Sequence, residues 1–249
     1  MLLTGDTDVL VLSPPYLADT IDSTTTRTLI LKATSTSSST LYDIGEIIRG
    51  LGKDVCKALP WFHAASLNSS FYKKGKVKAW DTWMKSEHHH DLTTLFQKLG
   101  DTPTDISELD FLLLKHYFVE MYNKDFTADS LGDIRLKMFL SSTIDDLRML
   151  PPSESALLLH VKRASFIAGH LWKEACTDLS LPDPQDWGWY RNEQGALVVR
   201  WQMGEKAISV DEFIISCSCR MKSCKSCKCA KAGLPCLIFC NCMKQCKNV

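Results

Sequence analysis

The last 33 residues, Cys217 to Val249, read CSCRMKSCKSCKCAKAGLPCLIFCNCMKQCKNV and cannot fold as an ordinary hydrophobic unit. They carry nine of the chain's eleven cysteines, seven Lys or Arg, and no Asp or Glu. So short a stretch with so few apolar residues has little core of its own, so a cross-link must supply the ordering free energy. Disulfides fit poorly, because nine is odd and C-x-C pairs suit a disulfide framework badly. The start, MLLTGDTDVLVLSPPY, lacks the basic n-region and long apolar run of a secretory signal, so an intracellular, reducing setting is expected. Metal binding is therefore the expected chemistry of the tail.

The spacing is C-x-C-x4-C-x2-C-x-C-x6-C-x3-C-x-C-x3-C. Thiolates this close cannot each build a separate four-ligand site with all nine used. Nine thiolates instead saturate three tetrahedral zinc ions when six are terminal and three bridge, because zinc favours soft, closed coordination in structural sites. Spacing alone leaves open which three bridge.

This pattern resembles the tesmin/TSO1-like CXC domain, with one extra residue before Cys246 and a matching Lys247-Asn248 ending. The resemblance implies a three-zinc cluster held by Cys217, Cys219, Cys224, Cys227, Cys229, Cys236, Cys240, Cys242 and Cys246. Several members of that family bind DNA, with a tyrosine before one cysteine entering the minor groove; Ser226 holds that position here. Only one CXC repeat is present, so weak, non-specific contact is expected rather than sequence reading.

Charge agrees with that expectation. The chain has 29 basic and 29 acidic residues, and setting aside the tail's seven basic ones leaves an acidic body with 22 against 29. Nine thiolates and three zinc ions sum to −3, so the seven basic side chains still leave the tail at about +4. Lys222, Lys225 and Lys228 are the candidate phosphate contacts. A zinc-ordered basic tail also suits a protein partner. No run of 18 apolar residues occurs, so no membrane span is expected.

The body, residues 1–180, reads as α/β and mostly helical after residue 42. Val9 to Leu12 reads as a buried strand of a parallel sheet, with Asp6 and Asp8 on one side of the extended segment before it. Thr28 to Ala33 reads as an edge strand. Helical patterns follow from Asp43 to Gly52, Asp54 to His63, 77–86, 91–99 (closed by Gly100), Ser107 to Tyr122, Ser130 to Leu140 and Ser153 to Cys176. Asp43 and Asp54 fit N-caps, and Ser107 with Asp110 forms a capping box. His88-His89-His90 reads as a solvent-facing turn, since three adjacent side chains cannot share a helical face. Cys56 and Cys176 read as buried thiols. Residues 181–212 hold a linker and a hairpin turning at Asn192–Gly195, its tryptophans packed on the helices.

Two carboxylates such as Asp6 and Asp8 form part of a magnesium site only if further acids converge on them. TGDTDVLVL, LYDIGEIIRGLGKDVCKALPWFHA and KKGKVKAW together resemble a family of animal proteins linked to mobile elements, distantly similar to PIN-like flap endonucleases. The resemblance implies that Asp6 and Asp8 are the carried-over metal-binding, catalytic positions. The family's next aspartate is missing from AASLNSS, where Asn68 or Ser69 stands near its place. The family's upstream strand and acids are also missing. The expectation is an N-terminally truncated, inactive remnant of a PIN-like domain, binding magnesium only if the alternative of an active nuclease holds. Lys73, Lys74, Lys76 and Lys78 around Gly75 loosely match the basic turn with which flap endonucleases grip DNA backbone. Residues 213–249 complete the chain as the zinc module, for which the resemblance implies a nuclear location.

Overall fold

The computed structural model describes residues 2–4, 6–21, 30–34, 39–67, 71–101, 106–122, 131–140, 146–173, 181–203, 216–219, 226–237 and 240–242. These residues are mostly helical, with one small three-stranded sheet, one hairpin and a C-terminal cysteine cluster. Strand β1 (Leu2–Thr4) runs parallel to β2 (Ile30–Thr34), which pairs antiparallel with β3 (Ser39–Asp43). The segment expected at the sheet's edge is thus its central strand, because β1 and β3 take its two sides.

The apolar run from Val9 to Leu12 is helical, correcting the strand expectation: α1 spans Thr7–Leu17. Asp6 caps it, accepting from the amide of Asp8 at 2.9 Å. A short apolar run carries no periodicity of its own, so capping and packing against a neighbour decide its state. Pro14 and Pro15 lie inside α1 and leave amide positions empty. The parallel strand does exist, but it is β1, ahead of Asp6. The two carboxylates therefore do not lie along one side of an extended segment.

Asp43 ends β3 and caps α2 (Ile44–Leu51), accepting from the amide of Glu46 at 3.1 Å. After Gly52 the chain enters α3 (Lys53–Leu67), which runs through Pro60 and one turn beyond the expected end. Asp54 sits in its first turn rather than at its cap. Helices α4 (Lys76–Lys85) and α5 (His89–Asp101) follow. His88 lies exposed in the turn between them, while His89 and His90 begin α5 and His89 Nδ1 lies 3.2 Å from the Trp83 carbonyl oxygen. Gly100 lies within α5 rather than ending it. A β-carbon there would sit 3.2 Å from Cβ of Trp61, so a bare backbone lets α5 approach α3.

Helix α6 (Glu108–Tyr122) starts as expected, with the Asp110 amide donating to Ser107 Oγ at 3.1 Å. Helices α7 (Leu131–Leu140) and α8 (Glu154–Phe166) follow, and Ser153 caps α8. The long helix expected to reach Cys176 changes to π-helical geometry at Ile167–Trp172, and Cys176 lies outside the described residues. The hairpin pairs β4 (Trp189–Arg191) with β5 (Leu197–Val199) around the expected turn. Its tryptophans pack as expected: Trp187 and Trp189 lie 6.0 and 5.4 Å from the ring of Phe166. Arg163, buried on α8, donates to the carbonyls of Gly188 at 3.2 Å and Arg200 at 3.0 Å, fastening the hairpin to the helices.

Helix α3 is the hub, touching α1, α2, α5, α8 and the π-helical segment. Trp61 on α3 is fully buried, stacks on Phe96 of α5 at 4.5 Å, and donates from Nε1 to Ser165 Oγ of α8 at 3.0 Å. Cys56, also fully buried, belongs to the smaller cluster beneath α1 and α2, as expected of an inert thiol, and burial pushes its pKa up to about 11. Replacing Trp61 by Ala removes a ring shared by three helices and leaves Ser165 without its donor. The expected cost is about 3–5 kcal/mol of stability, read as a lowered urea midpoint.

Candidate metal centre

The cysteine segments order around local geometry as well as sulfur. Cys217 and Cys219 lie in a short segment without regular secondary structure, 216–219. Cys227 caps the one-turn helix α9 (Lys228–Lys231), its Sγ accepting from the amide of Ala230 at 3.4 Å. Cys229 lies inside that turn and is fully buried. The turn ends at Gly233, whose φ of 67° a side-chain-bearing residue rarely adopts, and the chain doubles back. The amide of Leu234 then donates to the Cys229 carbonyl at 3.0 Å, leading into buried Cys236.

Cys240 and Cys242 close the cluster. Cys240 Sγ accepts from two amides, Cys217 at 3.5 Å and Leu237 at 3.4 Å. The amide of Asn241 donates to the Cys217 carbonyl at 3.0 Å, tying the last described segment to the first.

Two sulfur tetrads result, each with its Sγ atoms within 4.8 Å of one another. One is Cys217, Cys227, Cys229 and Cys236; the other is Cys217, Cys236, Cys240 and Cys242. Cys217 and Cys236 belong to both. Their Sγ atoms are 3.7 Å apart, and those of Cys229 and Cys240 are 3.6 Å apart. A tetrahedral ion with metal–sulfur bonds of about 2.3 Å places its ligand sulfurs about 3.8 Å apart, whereas a disulfide needs about 2.05 Å. All the described cysteines are free. The donor set is therefore pre-shaped for a soft, tetrahedral metal ion.

The thiols show what an ion there would relieve. Burial is the first cause that pushes Cys229 up to about 12, and neighbouring Cys240 and Cys217 push in the same direction. Cys217 and Cys236 are raised too, chiefly by burial. Burial would also raise Cys240, but hydrogen bonds from the amides of Cys217 and Leu237, with those of the Cys229 and Cys217 thiols, outweigh it, holding this thiol below its ordinary value. Packed thiolates repel one another out of water; a divalent ion at their centre turns that repulsion into attraction.

Of the nine expected ligands, seven lie in the described residues. Six of them form the tetrads, and Cys219 packs against the cluster. Cys224 and Cys246 lie outside the described residues, as do Lys222 and Lys225. Lys228 is exposed on α9. The cluster also has a contact invisible in its own sequence: Phe139, from the last turn of α7, packs against it.

The acidic candidates sit elsewhere. Asp6 is spent as the cap of α1, and Asp8 Oδ1 lies 2.9 Å from Nε2 of His63. His63 is buried on α3, its ring 5.5 Å from that of Trp172. Burial lowers its pKa more than Asp8 raises it, so the ring is neutral at pH 7. Nothing in the sequence pairs His63 with Asp8; the packing of α1 on α3 brings them together. Asn68 and Ser69 lie outside the described residues. Among the described residues, only cysteines converge in groups of three or more candidate ligands. Lys73, Lys74 and Lys76 sit on the turn before α4 and in its first turn.

No helix among the described residues is long and apolar enough to cross a membrane. Compared with protein-family models, curated proteins and solved structures, the chain matches none.

Because burial keeps Cys217, Cys229 and Cys236 protonated at pH 7, metal binding must displace their protons. Adding zinc to the metal-free chain in weak buffer is expected to acidify the solution, and lowering the pH is expected to release the metal. Binding without proton release would show that these thiols are not the ligands.

Proposed function

We propose that this chain is a zinc-binding protein whose C-terminal module is a tesmin/TSO1-like CXC domain holding three ions. The observation that carries this reading is the pair of sulfur tetrads sharing Cys217 and Cys236. Two shared thiolates are what a multinuclear cluster requires and what separate zinc knuckles lack. In this assignment Cys217 and Cys236 are two of the three bridging ligands. Cys219, Cys224 and Cys246, with one more shared thiolate, hold the third ion.

On this reading the body is a PIN-like remnant without catalysis. Asp6 caps a helix and Asp8 is bound by a neutral histidine, which leaves no acidic set to hold magnesium among the described residues. The module's role is then binding rather than chemistry. A basic tail with weak, salt-sensitive affinity for DNA phosphates fits the exposed Lys228 and a nuclear location.

Zinc titration with a chromophoric competitor is expected to give about three equivalents per chain, from nine thiolates in closed tetrahedral sites. Fewer than two would exclude the cluster. Cys236→Ser should lose more zinc than Cys242→Ser, because a bridging ligand serves two ions and a terminal one serves one.

For DNA, anisotropy with a labelled duplex should show affinity falling as salt rises. Replacing Lys222, Lys225 and Lys228 by Gln should flatten that dependence by roughly one unit of slope for each phosphate that is no longer neutralised. A slope unchanged by all three replacements would remove the tail from the DNA interface.

A further inference from the structure

Between α3, α6 and the start of α4 lies a cavity of about 250 Å³ that none of these roles uses. Five rings stand in its walls, those of Trp61, Phe62, Phe71, Tyr117 and Phe118, with Met121 beside them. The polar handles among its lining residues are committed elsewhere. Trp61 Nε1 donates to Ser165 Oγ at 3.0 Å, the Tyr117 hydroxyl to the Ala79 carbonyl at 3.1 Å, and the Ser66 hydroxyl to the His63 carbonyl at 2.8 Å. The described walls of the chamber present mostly carbon to whatever enters it.

Among the described residues, charge enters the lining only through Lys74 and Lys76. Lys74 is half-buried, its Nζ 4.9 Å from the centre of the Tyr122 ring. Among the described residues no carboxylate forms an ion pair with either lysine. Burial, and then nearby Lys78, lower the pKa of Lys74, the expected result for a partly desolvated cation without an anion. The turn that sets this arrangement is strained. Lys73 has φ 58°, the only positive value at a non-glycine among the described residues. The Lys74 amide donates to the Phe71 carbonyl across that turn at 2.8 Å, holding Phe71 in the wall and Lys74 beside it.

We propose that this cavity binds a small aromatic carboxylate, with its ring in the apolar chamber and its carboxylate on the ammonium of Lys74, Lys76 alongside. A dry apolar cavity of about 150 Å³ accepts benzene, so this one has room for a bicyclic ring. A nucleobase fits less well, because its polar edge would give up water for carbon walls without recovering its hydrogen bonds.

Calorimetry on the full chain with 1-naphthoate, its neutral isostere 1-naphthamide, and dAMP tests the site. The expected result is one naphthoate site, roughly tenfold tighter than naphthamide because the ion pair is charge-assisted. Lys74→Met should abolish that preference while naphthamide still binds. Ala65→Leu, which fills the chamber, should weaken both; if circular dichroism shows this variant unfolded, the Lys74→Met comparison decides alone. Equal binding of naphthoate and naphthamide, a preference that survives Lys74→Met, tighter binding of dAMP, or no naphthoate binding would each overturn the proposal.

Discussion

Burial of Trp61 between α3, α5 and α8 is the contact on which most of the body depends. Its ring stacks on Phe96, its one polar atom is satisfied by Ser165, and Gly100 lets the two helix backbones come close enough for the stack. An indole carries a large apolar surface, so moving it out of water contributes more than any surface ion pair here. With Trp61 held, the rest of α3 is aimed. His63 meets Asp8 at the start of α1, and Phe62, Ala65 and Ser66 line the cavity below α4.

The tail follows a different physical rule. Among its described residues the buried ones are cysteines and Leu237, with Phe139 of α7 packed against them. A stretch of 33 residues with so few apolar ones has little core of its own, and the raised pKa values of Cys217, Cys229 and Cys236 mark thiols that favour their neutral form without a cation. The backbone still contributes, through the amides that converge on Cys240 and the left-handed turn at Gly233. Hydrophobic burial orders the body, whereas coordination is the means by which such a tail can be ordered. Phe139 is where the two meet.

Helix starts were legible because capping is local chemistry. Asp43, Ser107 and Ser153 each bond an amide within three residues, a span the sequence displays directly. The hairpin turn at Asn192–Gly195 was legible for the same reason, with Asn192 Oδ1 accepting from the amides of Gln194 and Ala196. Val9 to Leu12 was not. Four apolar residues satisfy strand and helix equally, and Asp6 capping α1, with α3 alongside, settled the matter. The carboxylates moved with that run, because a strand aligns alternate side chains and a helix does not.

From the cysteine pattern alone follow a tail with the donor set for a soft, tetrahedral metal ion and a basic charge, since ligand type and spacing are written along the chain. Tertiary structure decided which sulfurs come within bonding reach of a common ion, and that Cys217 and Cys236 stand in both groups. It also decided that Asp8 faces a buried histidine and that lysines beside α4 overlook an aromatic chamber. Those facts join residues far apart in sequence. They arise from helix packing, which depends on the shape and volume of many side chains at once and is encoded in no single motif.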